Sequence, residues 1–216
     1  MTDASSLPFD AILFDLDGTL IDTESLAVAS GVEAFANSGF PIDAAFMHRL
    51  IGKDHVASAA IIRAHLPDLD LEDFDQHWRR LFNEKVARGL PLKPGAEALL
   101  EQLAHLPRGL VTSSRRNEAH RKLGIAGLAQ YFDIVVSYDD VTAPKPAPDP
   151  YLLAARMLGV TPERCLVFED SEVGAEAAHR AGCRVVQVPD VLPSDGKWAH
   201  HLAVDLLEGA RAAGLI

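Results

Sequence analysis

The stretch AILFDLDGTLIDTES, residues 11–25, contains the first strand that the sequence predicts. Four apolar residues, 11–14, lead directly into Asp15, and a second acid, Asp17, follows two positions later. An apolar run without polar alternation is typical of a strand in a parallel sheet that is covered on both faces. Ligands bind at the carboxyl ends of such strands. The sequence therefore predicts a buried strand that delivers two carboxylates to a binding edge.

Short apolar runs with branched side chains recur after this one, and helix-like segments separate the later runs. We predict strands at 11–14, 109–111, 133–136, 165–168 and 184–188, and helices at 116–124, 148–158 and 172–181. The three helical patterns end at glycines, as helices often do: Gly124, Gly159 and Gly182. Strands that alternate with helices predict an α/β fold with a parallel sheet.

The region from residue 22 to residue 90 breaks this alternation, because its apolar residues follow helical spacing throughout. One predicted helix starts near Asp22–Thr23. Another carries a stripe of large apolar side chains that we interpret as core: Phe74, Trp78, Leu81 and Phe82. We therefore predict two domains, an α/β core domain of residues 1–21 and 91–216 and a helical cap domain of residues 22–90, inserted directly after the first strand.

Composition and charge argue against several classes of protein. The 216 residues include 31 Asp and Glu against 20 Lys and Arg, for a formal net charge of −11. Without a basic stripe, so acidic a surface repels phosphate backbones, and we expect no nucleic-acid partner. The N-terminus lacks a basic segment followed by an apolar one, and no apolar run reaches about 18 residues. We predict no signal peptide, no membrane partner and no protein partner, and a cytoplasmic location.

Reactive side chains follow four of the predicted strands. They are Asp15 and Asp17 after the first strand, Thr112, Ser113 and Ser114 after the second, Lys145 in the loop after the third, and Glu169 and Asp170 after the fourth. Four carboxylates in one cleft repel one another unless a cation lies among them, and hard oxygen ligands suit Mg²⁺. A lysine and a hydroxyl beside that cation could bind a dianionic phosphate. An aspartate held there could attack the phosphoryl group, while a second acid protonates the leaving oxygen and later activates water.

Four segments together resemble the motifs of the haloacid dehalogenase superfamily: FDLDGTL at 14–20, VTSS at 111–114, KPAPDPY at 145–151 and VFEDSEVG at 167–174. The insert after the first motif resembles the helical-cap group, which includes phosphoglycolate phosphatase and β-phosphoglucomutase. The resemblance spans nearly the whole chain. It implies a Rossmann-like parallel sheet with an inserted all-helical cap, and a Mg²⁺-dependent phosphatase that acts on a small phosphorylated metabolite through an aspartyl-phosphate intermediate.

The resemblance also implies roles for the acidic residues. Asp15 would be the nucleophile and Asp17 the general acid and base. Mg²⁺ would be held by the Asp15 carboxylate, the main-chain carbonyl of Asp17 and the Asp170 carboxylate, with Glu169 in or near its shell. The dehalogenase branch of the superfamily lacks the second acid of the first motif, so the presence of Asp17 favours phosphoryl transfer.

Residues of the second and third motifs would bind the phosphoryl group. By resemblance, Thr112 and the backbone of Ser113 would hold phosphoryl oxygens, and Lys145 would offset the negative charge that develops in the reaction. Ser114 stands directly before a predicted helix, and we interpret its hydroxyl as the cap of that helix.

The loop RLIGKDH in the cap, residues 49–55, corresponds to the family loop that selects substrates. Arg49, Lys53 and His55 could contact a second anionic or hydroxylated part of the substrate. The alternative is that these three are solvated charges at helix ends.

Two other functions stay open at this point. A sugar phosphomutase uses the same scaffold, and receiver domains of response regulators combine acids, a Thr and a Lys in a non-catalytic, phosphate-responsive module. Receiver domains are far shorter and lack a cap. In β-phosphoglucomutase, a His of the first cap helix is part of what keeps the general base from activating water. Counting from Thr23, this chain has Ala27 at that position, which favours net phosphate release.

Overall fold

Residues 8–50 and 55–216 are described by the structure, a computed structural model. The chain forms two units: the first runs to Ile21 and resumes from Pro91 to Ile216, and the second is Asp22–Leu90. No helix among the described residues is both long enough and apolar enough to cross a membrane.

The first unit contains the strands that the structure describes, and the helices are divided between the two units. The strands are β1 (Ala11–Phe14), β2 (Arg108–Val111), β3 (Ile134–Val136), β4 (Cys165–Glu169), β5 (Arg184–Gln187) and β6 (His201–Leu202). The helices are α1 (Thr23–Asn37), α2 (Ala44–His48), α3 (His55–His65), α4 (Leu71–Arg88), α5 (Ala96–Gln102), α6 (Arg116–Ala126), α7 (Asp149–Leu158), α8 (Glu172–Arg180) and α9 (Leu206–Ala212).

The strands of the first unit form one sheet in the order β3-β2-β1-β4-β5-β6, and every neighbouring pair is parallel. The predicted α/β fold with a Rossmann-like parallel sheet is confirmed. The sequence did not predict β6, because two residues are too short to give a recognisable apolar pattern.

The register of β1 brings the residues that follow three strands to the same edge. Phe14, the last residue of β1, pairs with Leu110 of β2 and with Phe168 of β4. The rings of Phe14 and Phe168 stack with their centroids 5.1 Å apart. The backbone N–H of Asp15 continues this ladder and donates to the carbonyl of Phe168 at 3.0 Å. The side chains that follow β1, β2 and β4 are therefore close neighbours.

Glycines end two of the core helices where the sequence predicted it, but not the third. Gly159 ends α7 in the left-handed conformation, at φ 71°, and Gly182 follows α8 at φ 88°. The prediction that Gly124 ends α6 is wrong, because the helix continues to Ala126. Gly127 makes the left-handed turn instead, at φ 69°, so that the buried Leu128 can cap the last turn with its N–H.

Aspartates begin three helices of the second unit. Asp22 accepts from the N–H of Ser25 at 2.9 Å, and Asp43 accepts from the N–H of Phe46 at 2.9 Å. Asp70 accepts two N–H groups of the first turn of α4. Each carboxylate satisfies backbone donors that the helix cannot pair internally, and each lies where the helix dipole favours negative charge.

The aromatic stripe of α4 packs against α1 in the core of the second unit. Phe74 and Leu81 are buried there, and Trp78 is half-buried with its indole N–H donating to the carbonyl of Ala27 at 3.2 Å and the hydroxyl of Ser30 at 3.0 Å. The interpretation of this stripe as core is confirmed for Phe74 and Leu81.

Candidate active site

Three carboxylates meet where β1 and β4 end. Oxygens of Asp15, Glu169 and Asp170 lie within 4.8 Å of one another. Asp15 is only 7% exposed and Glu169 is fully buried. Such a set of hard oxygen donors fits a divalent cation such as Mg²⁺. The structure therefore brings together three of the four acids that the sequence assigned to this edge.

Lys145 connects this cluster to the second strand. Its ammonium group lies 2.7 Å from Oδ1 of Asp15, 2.5 Å from Oε1 of Glu169 and 2.9 Å from the carbonyl oxygen of Val111. The lysine side chain is 4% exposed. An ammonium group has three protons, so these three acceptors fix its position beside Asp15.

Glu169 accepts hydrogen bonds at both of its oxygens. Besides Lys145, Oε1 accepts from the hydroxyl of Tyr151 at 2.7 Å, and Oε2 accepts from the hydroxyl of Ser171 at 3.0 Å. A methyl group at Gly174 would overlap this carboxylate, so the start of α8 leaves room for it only because glycine stands there. Sequence reasoning missed Tyr151 and Ser171, although both lie inside the quoted motifs.

A tight turn at Gly18, directly after Asp17, leaves room for the side chain of Asp170. Gly18 has φ +87°, and a methyl group at this position would lie 2.8 Å from Cγ of Asp170. The hydroxyl of Thr19 donates to Oδ1 of Asp170 at 3.2 Å. The glycine of the first motif is thus needed both for the backbone conformation and for the close approach of the carboxylate.

The carboxylate of Asp17 is bound by one group from the β2–α6 connection and one from α6. The hydroxyl of Ser114 donates to Oδ2 of Asp17 at 2.9 Å, and the ammonium group of Lys122 lies 2.8 Å from Oδ1. The prediction that Ser114 caps the following helix is wrong. Arg115 stands at the N-cap of α6 without a side-chain cap, because the Ser114 hydroxyl is used by Asp17 instead.

Sequence reasoning missed Lys122. This lysine is buried on α6 next to Ala119 and Leu123, which are also buried. Burial lowers the pKa of Lys122, but the carboxylates of Asp17 and Glu118 raise it, and the resulting pKa lies above the usual value. A lysine on the apolar face of a helix was the available signal, because buried lysines are nearly always paired.

The second motif forms a closed loop after β2. The N–H of Thr112 donates to the carbonyl of Val136 at 2.9 Å, which continues the β2–β3 ladder. Oγ1 of Thr112 accepts from the N–H of Ser114 at 3.0 Å, and the threonine is buried. Ser113, between them, is exposed. These bonds orient the hydroxyl of Thr112 at the edge of the sheet where Asp15 lies.

The electrostatics of the cluster favour a bound cation. Burial raises the pKa of Asp15 to about 7, where the approach of Glu169 adds to the rise and Lys145 opposes it. Burial and then the carboxylate of Glu169 raise the pKa of Asp170 well above its usual value. Although burial lowers the pKa of Lys145, its two carboxylate partners raise it above the ordinary value. One lysine therefore does not offset all the negative charge at this edge.

The three predicted residues of the cap loop are described only in part. Arg49 is exposed at the end of α2, with its guanidinium 5.4 Å from the centroid of the Phe46 ring. Lys53 and the side chain of His55 lie outside the described residues. Their contact with a substrate stays a prediction.

Three carboxylates, a buried lysine and a buried threonine thus lie at the carboxyl edge of a parallel α/β sheet. The family model of haloacid dehalogenase-like hydrolases matches residues 9–182. The chain belongs to this family of hydrolases, and the predicted family is confirmed.

Relatives of known name support the same family. The chain is 33% identical over 181 residues to the fructose-1-phosphate phosphatase of Escherichia coli, which covers 83% of this chain and 96% of that protein. It is 34% identical over 196 residues to a phosphorylated carbohydrates phosphatase of Thermotoga maritima, covering 87% of this chain and 88% of that protein. A crystal structure of a proposed β-phosphoglucomutase from T. maritima matches with a TM-score of 0.79 and 32% identity, covering 90% of this chain and 94% of that one.

Proposed function

We propose that this hydrolase is a Mg²⁺-dependent phosphatase that releases phosphate from a phosphorylated carbohydrate. The observation that carries the proposal is the buried contact of Asp15 with Lys145, beside two further carboxylates, at the carboxyl edge of the sheet. The class of substrate is supported by the two relatives, which are named as phosphatases of fructose 1-phosphate and of phosphorylated carbohydrates.

The donor set fits the proposed cation. Asp15 and Asp170 supply carboxylate oxygens, the family pattern adds the main-chain carbonyl of Asp17, and Glu169 stands next to them. Burial is the largest cause of the raised pKa values of Asp15 and Asp170, and the neighbouring carboxylates add to the rise. When bound, Mg²⁺ would supply positive charge to the phosphoryl oxygens.

The proposed reaction has two halves. An oxygen of Asp15 attacks phosphorus, the bond from phosphorus to the substrate oxygen breaks, and Asp17 gives that oxygen its proton. Water then attacks phosphorus while Asp17 takes the proton, and the bond to Asp15 breaks to release phosphate. Lys145, Thr112 and the backbone N–H of Ser113 would stabilise the charge on the phosphoryl oxygens.

The test is phosphate release from fructose 1-phosphate, glucose 1-phosphate, glycerol 3-phosphate, phosphoglycolate and a nucleoside monophosphate. We expect turnover of one or more of the sugar phosphates, silenced by EDTA and restored by Mg²⁺. Activity that is indifferent to the chelator, or no phosphate release from the whole panel, would reject the proposal. The same panel, repeated with Lys53→Ala, tests the assignment of substrate selection to the cap loop.

A sugar phosphomutase is the second candidate, because the T. maritima protein of known structure is described as one. A mutase must keep water away from its aspartyl phosphate, and Ala27 has no group that could gate a general base. The phosphatase and mutase activities are distinguished by incubating the protein with Mg²⁺, β-glucose 1-phosphate and a little glucose 1,6-bisphosphate and measuring free phosphate and glucose 6-phosphate. Glucose 6-phosphate that forms much faster than free phosphate would favour the mutase.

Replacing Asp170 with alanine should increase the Mg²⁺ concentration needed for half-maximal activity by at least about tenfold, because one carboxylate ligand is lost. The measurement is a Mg²⁺ titration of phosphate release. The matched control is Asp195→Ala, which removes an exposed carboxylate from a loop after β5 and should leave the titration unchanged. An unchanged titration of Asp170→Ala would contradict its role as a ligand.

The raised pKa values predict that Mg²⁺ stabilises the protein more at high pH. Because the pKa of Asp15 is about 7 in the folded chain and near 3.8 otherwise, its protonated form favours folding below about pH 4, and this stabilisation is lost as the pH rises through 7. The raised pKa of Asp170 likewise stabilises the folded chain at low pH and not at high pH. Mg²⁺ binds the ionised carboxylates, so protons compete with it at low pH.

We therefore expect saturating Mg²⁺ to raise the melting temperature by roughly 5–10 °C near pH 8 and by less than about 2 °C near pH 5. Differential scanning fluorimetry at both pH values, with Ca²⁺-free buffers and an EDTA reference, gives the comparison. Equal shifts at the two pH values would contradict the prediction.

A further inference from the structure

Lys122 reaches Asp17 from the middle of α6, and the reaction described above gives it no role. Its ammonium group lies 2.8 Å from Oδ1 of Asp17, 3.1 Å from Oγ of Ser114 and 3.0 Å from Oε1 of Glu118. The lysine side chain is 6% exposed, whereas that of Asp17 is 30% exposed. The ammonium group is thus buried against the general acid and base of the proposed reaction.

Lys122 and Ser114 together bind both oxygens of the Asp17 carboxylate. Oδ1 accepts from Lys122, and Oδ2 accepts from the hydroxyl of Ser114 at 2.9 Å. Lys122 also lies within hydrogen-bond distance of Ser114, so the three groups form a closed triangle. A carboxylate bound at both oxygens by charge-assisted and neutral hydrogen bonds has little freedom to rotate.

We propose that Lys122, with Ser114, is a positioning residue that orients the Asp17 carboxylate for proton transfer. This inference rests on the proposed function, because it takes Asp17 as the general acid and base. Proton transfer requires the carboxylate within hydrogen-bond reach of the substrate oxygen, and a misplacement of about 1 Å can cost on the order of 10²-fold in rate. A purely structural ion pair at the same place would affect folding and all substrates alike.

The first test uses two leaving groups. In Lys122→Met, kcat/KM for a sugar phosphate that the wild type hydrolyses, fructose 1-phosphate first, should fall by at least about 10²-fold, the usual contribution of general acid–base catalysis. For p-nitrophenyl phosphate it should fall by less than about tenfold, because nitrophenolate leaves without a proton. Asp17→Asn should show the same dependence on the leaving group.

The second test is a double-mutant cycle. If Lys122 acts through Asp17, then Lys122→Met should change kcat/KM by less than about twofold in a chain that already carries Asp17→Asn. Lys122→Arg keeps the positive charge and should recover at least about tenfold of the lost activity on the sugar phosphate, although a planar guanidinium cannot reproduce all three contacts.

Arg164→Met is the matched control. Arg164 forms an ion pair with Asp10 in the same unit, with Nη2 2.7 Å from Oδ1. Arg164 directly precedes β4 and Asp10 directly precedes β1, so the pair lies at the edge of the sheet opposite to the candidate active site. We expect its activity on both substrates to stay within about twofold of the wild type, as surface ion pairs contribute little.

Three results would overturn the proposal: an equal loss on both substrates, a loss that adds to that of Asp17→Asn, or a kcat/KM for the sugar phosphate at or above the wild-type value. If circular dichroism shows that Lys122→Met does not fold, Lys122→Gln and Ser114→Ala undergo the same two tests. A wild-type chain without phosphatase activity would reject the proposed function itself. An active wild type with one of the three results rejects only the role of Lys122.

Discussion

Replacing Asp15 with asparagine should lower phosphate release by at least about 10³-fold, the scale of effect seen when an enzyme loses its nucleophile. The amide has nearly the same shape as the carboxylate but is a poor nucleophile and a poor ligand for a hard cation. The measurement is phosphate release at saturating Mg²⁺ from a sugar phosphate that the wild type hydrolyses. More than a few per cent of wild-type turnover, on the order of 10⁻² or above, would reject the assignment.

The same substitution should leave the fold intact. Burial makes the ionised form of Asp15 unfavourable, and at about pH 8, above its raised pKa, the metal-free wild type is destabilised by this charge. Without added metal, Asp15→Asn should therefore melt at or above the wild-type temperature. The matched control is Asp10→Asn, five residues earlier and directly before β1, where the side chain is 51% exposed; this variant should keep its activity within about twofold.

Replacing Lys145 with methionine should remove both turnover and stability. Loss of one partner of a buried ion pair costs about 3–5 kcal/mol, because the remaining charge stays buried. Here the remaining charges are the carboxylates of Glu169, which is fully buried, and of Asp15, which is 7% exposed. For a chain of 150–250 residues this corresponds to a fall of roughly 6–20 °C in melting temperature.

The charge argument has its own test. The double variant Lys145→Met with Glu169→Gln removes both charges and should recover at least about half of the lost melting temperature, but not the activity. The control is Lys85→Met in the second unit, where Lys85 lies 2.7 Å from Glu33 and both side chains are partly exposed. Its melting temperature should fall by less than about 4 °C. A Lys145→Met chain as stable as the wild type would contradict the energetics assigned to this lysine.

Much of the candidate site follows from local sequence patterns. Unbroken apolar runs predicted the strands and so placed the residues that follow them at one edge of a parallel sheet, and the pairing of β1 with β4 makes two of these positions neighbours. The meeting of Asp15, Glu169 and Asp170 is therefore a consequence of strand order and register. A change of register by one residue would separate them, which is why the position of the acid immediately after the apolar run is so informative.

The contacts that bind Asp17 could not be predicted in this way. Lys122 is 105 positions away along the chain, and a lysine in a helix usually belongs to the solvent-facing side. Ser114 also had a plausible local use as a helix cap, but a long-range acceptor took its hydroxyl. The helix end at Gly127 instead of Gly124 has the same origin, since burial of Leu128 decided where α6 stops.

The central claim is that Asp15 accepts the phosphoryl group, and rapid acid quench with peptide mass spectrometry tests it directly. Asp17→Asn, mixed with Mg²⁺ and p-nitrophenyl phosphate, should release one equivalent of nitrophenol in a burst and then turn over at a much slower steady rate, since the water step lacks its base. We predict the mass of one phosphoryl group on the peptide that contains Asp15, and none when Asp15→Asn is added to this variant. A phosphoryl group on another residue, or turnover without any labelled peptide, would contradict the account.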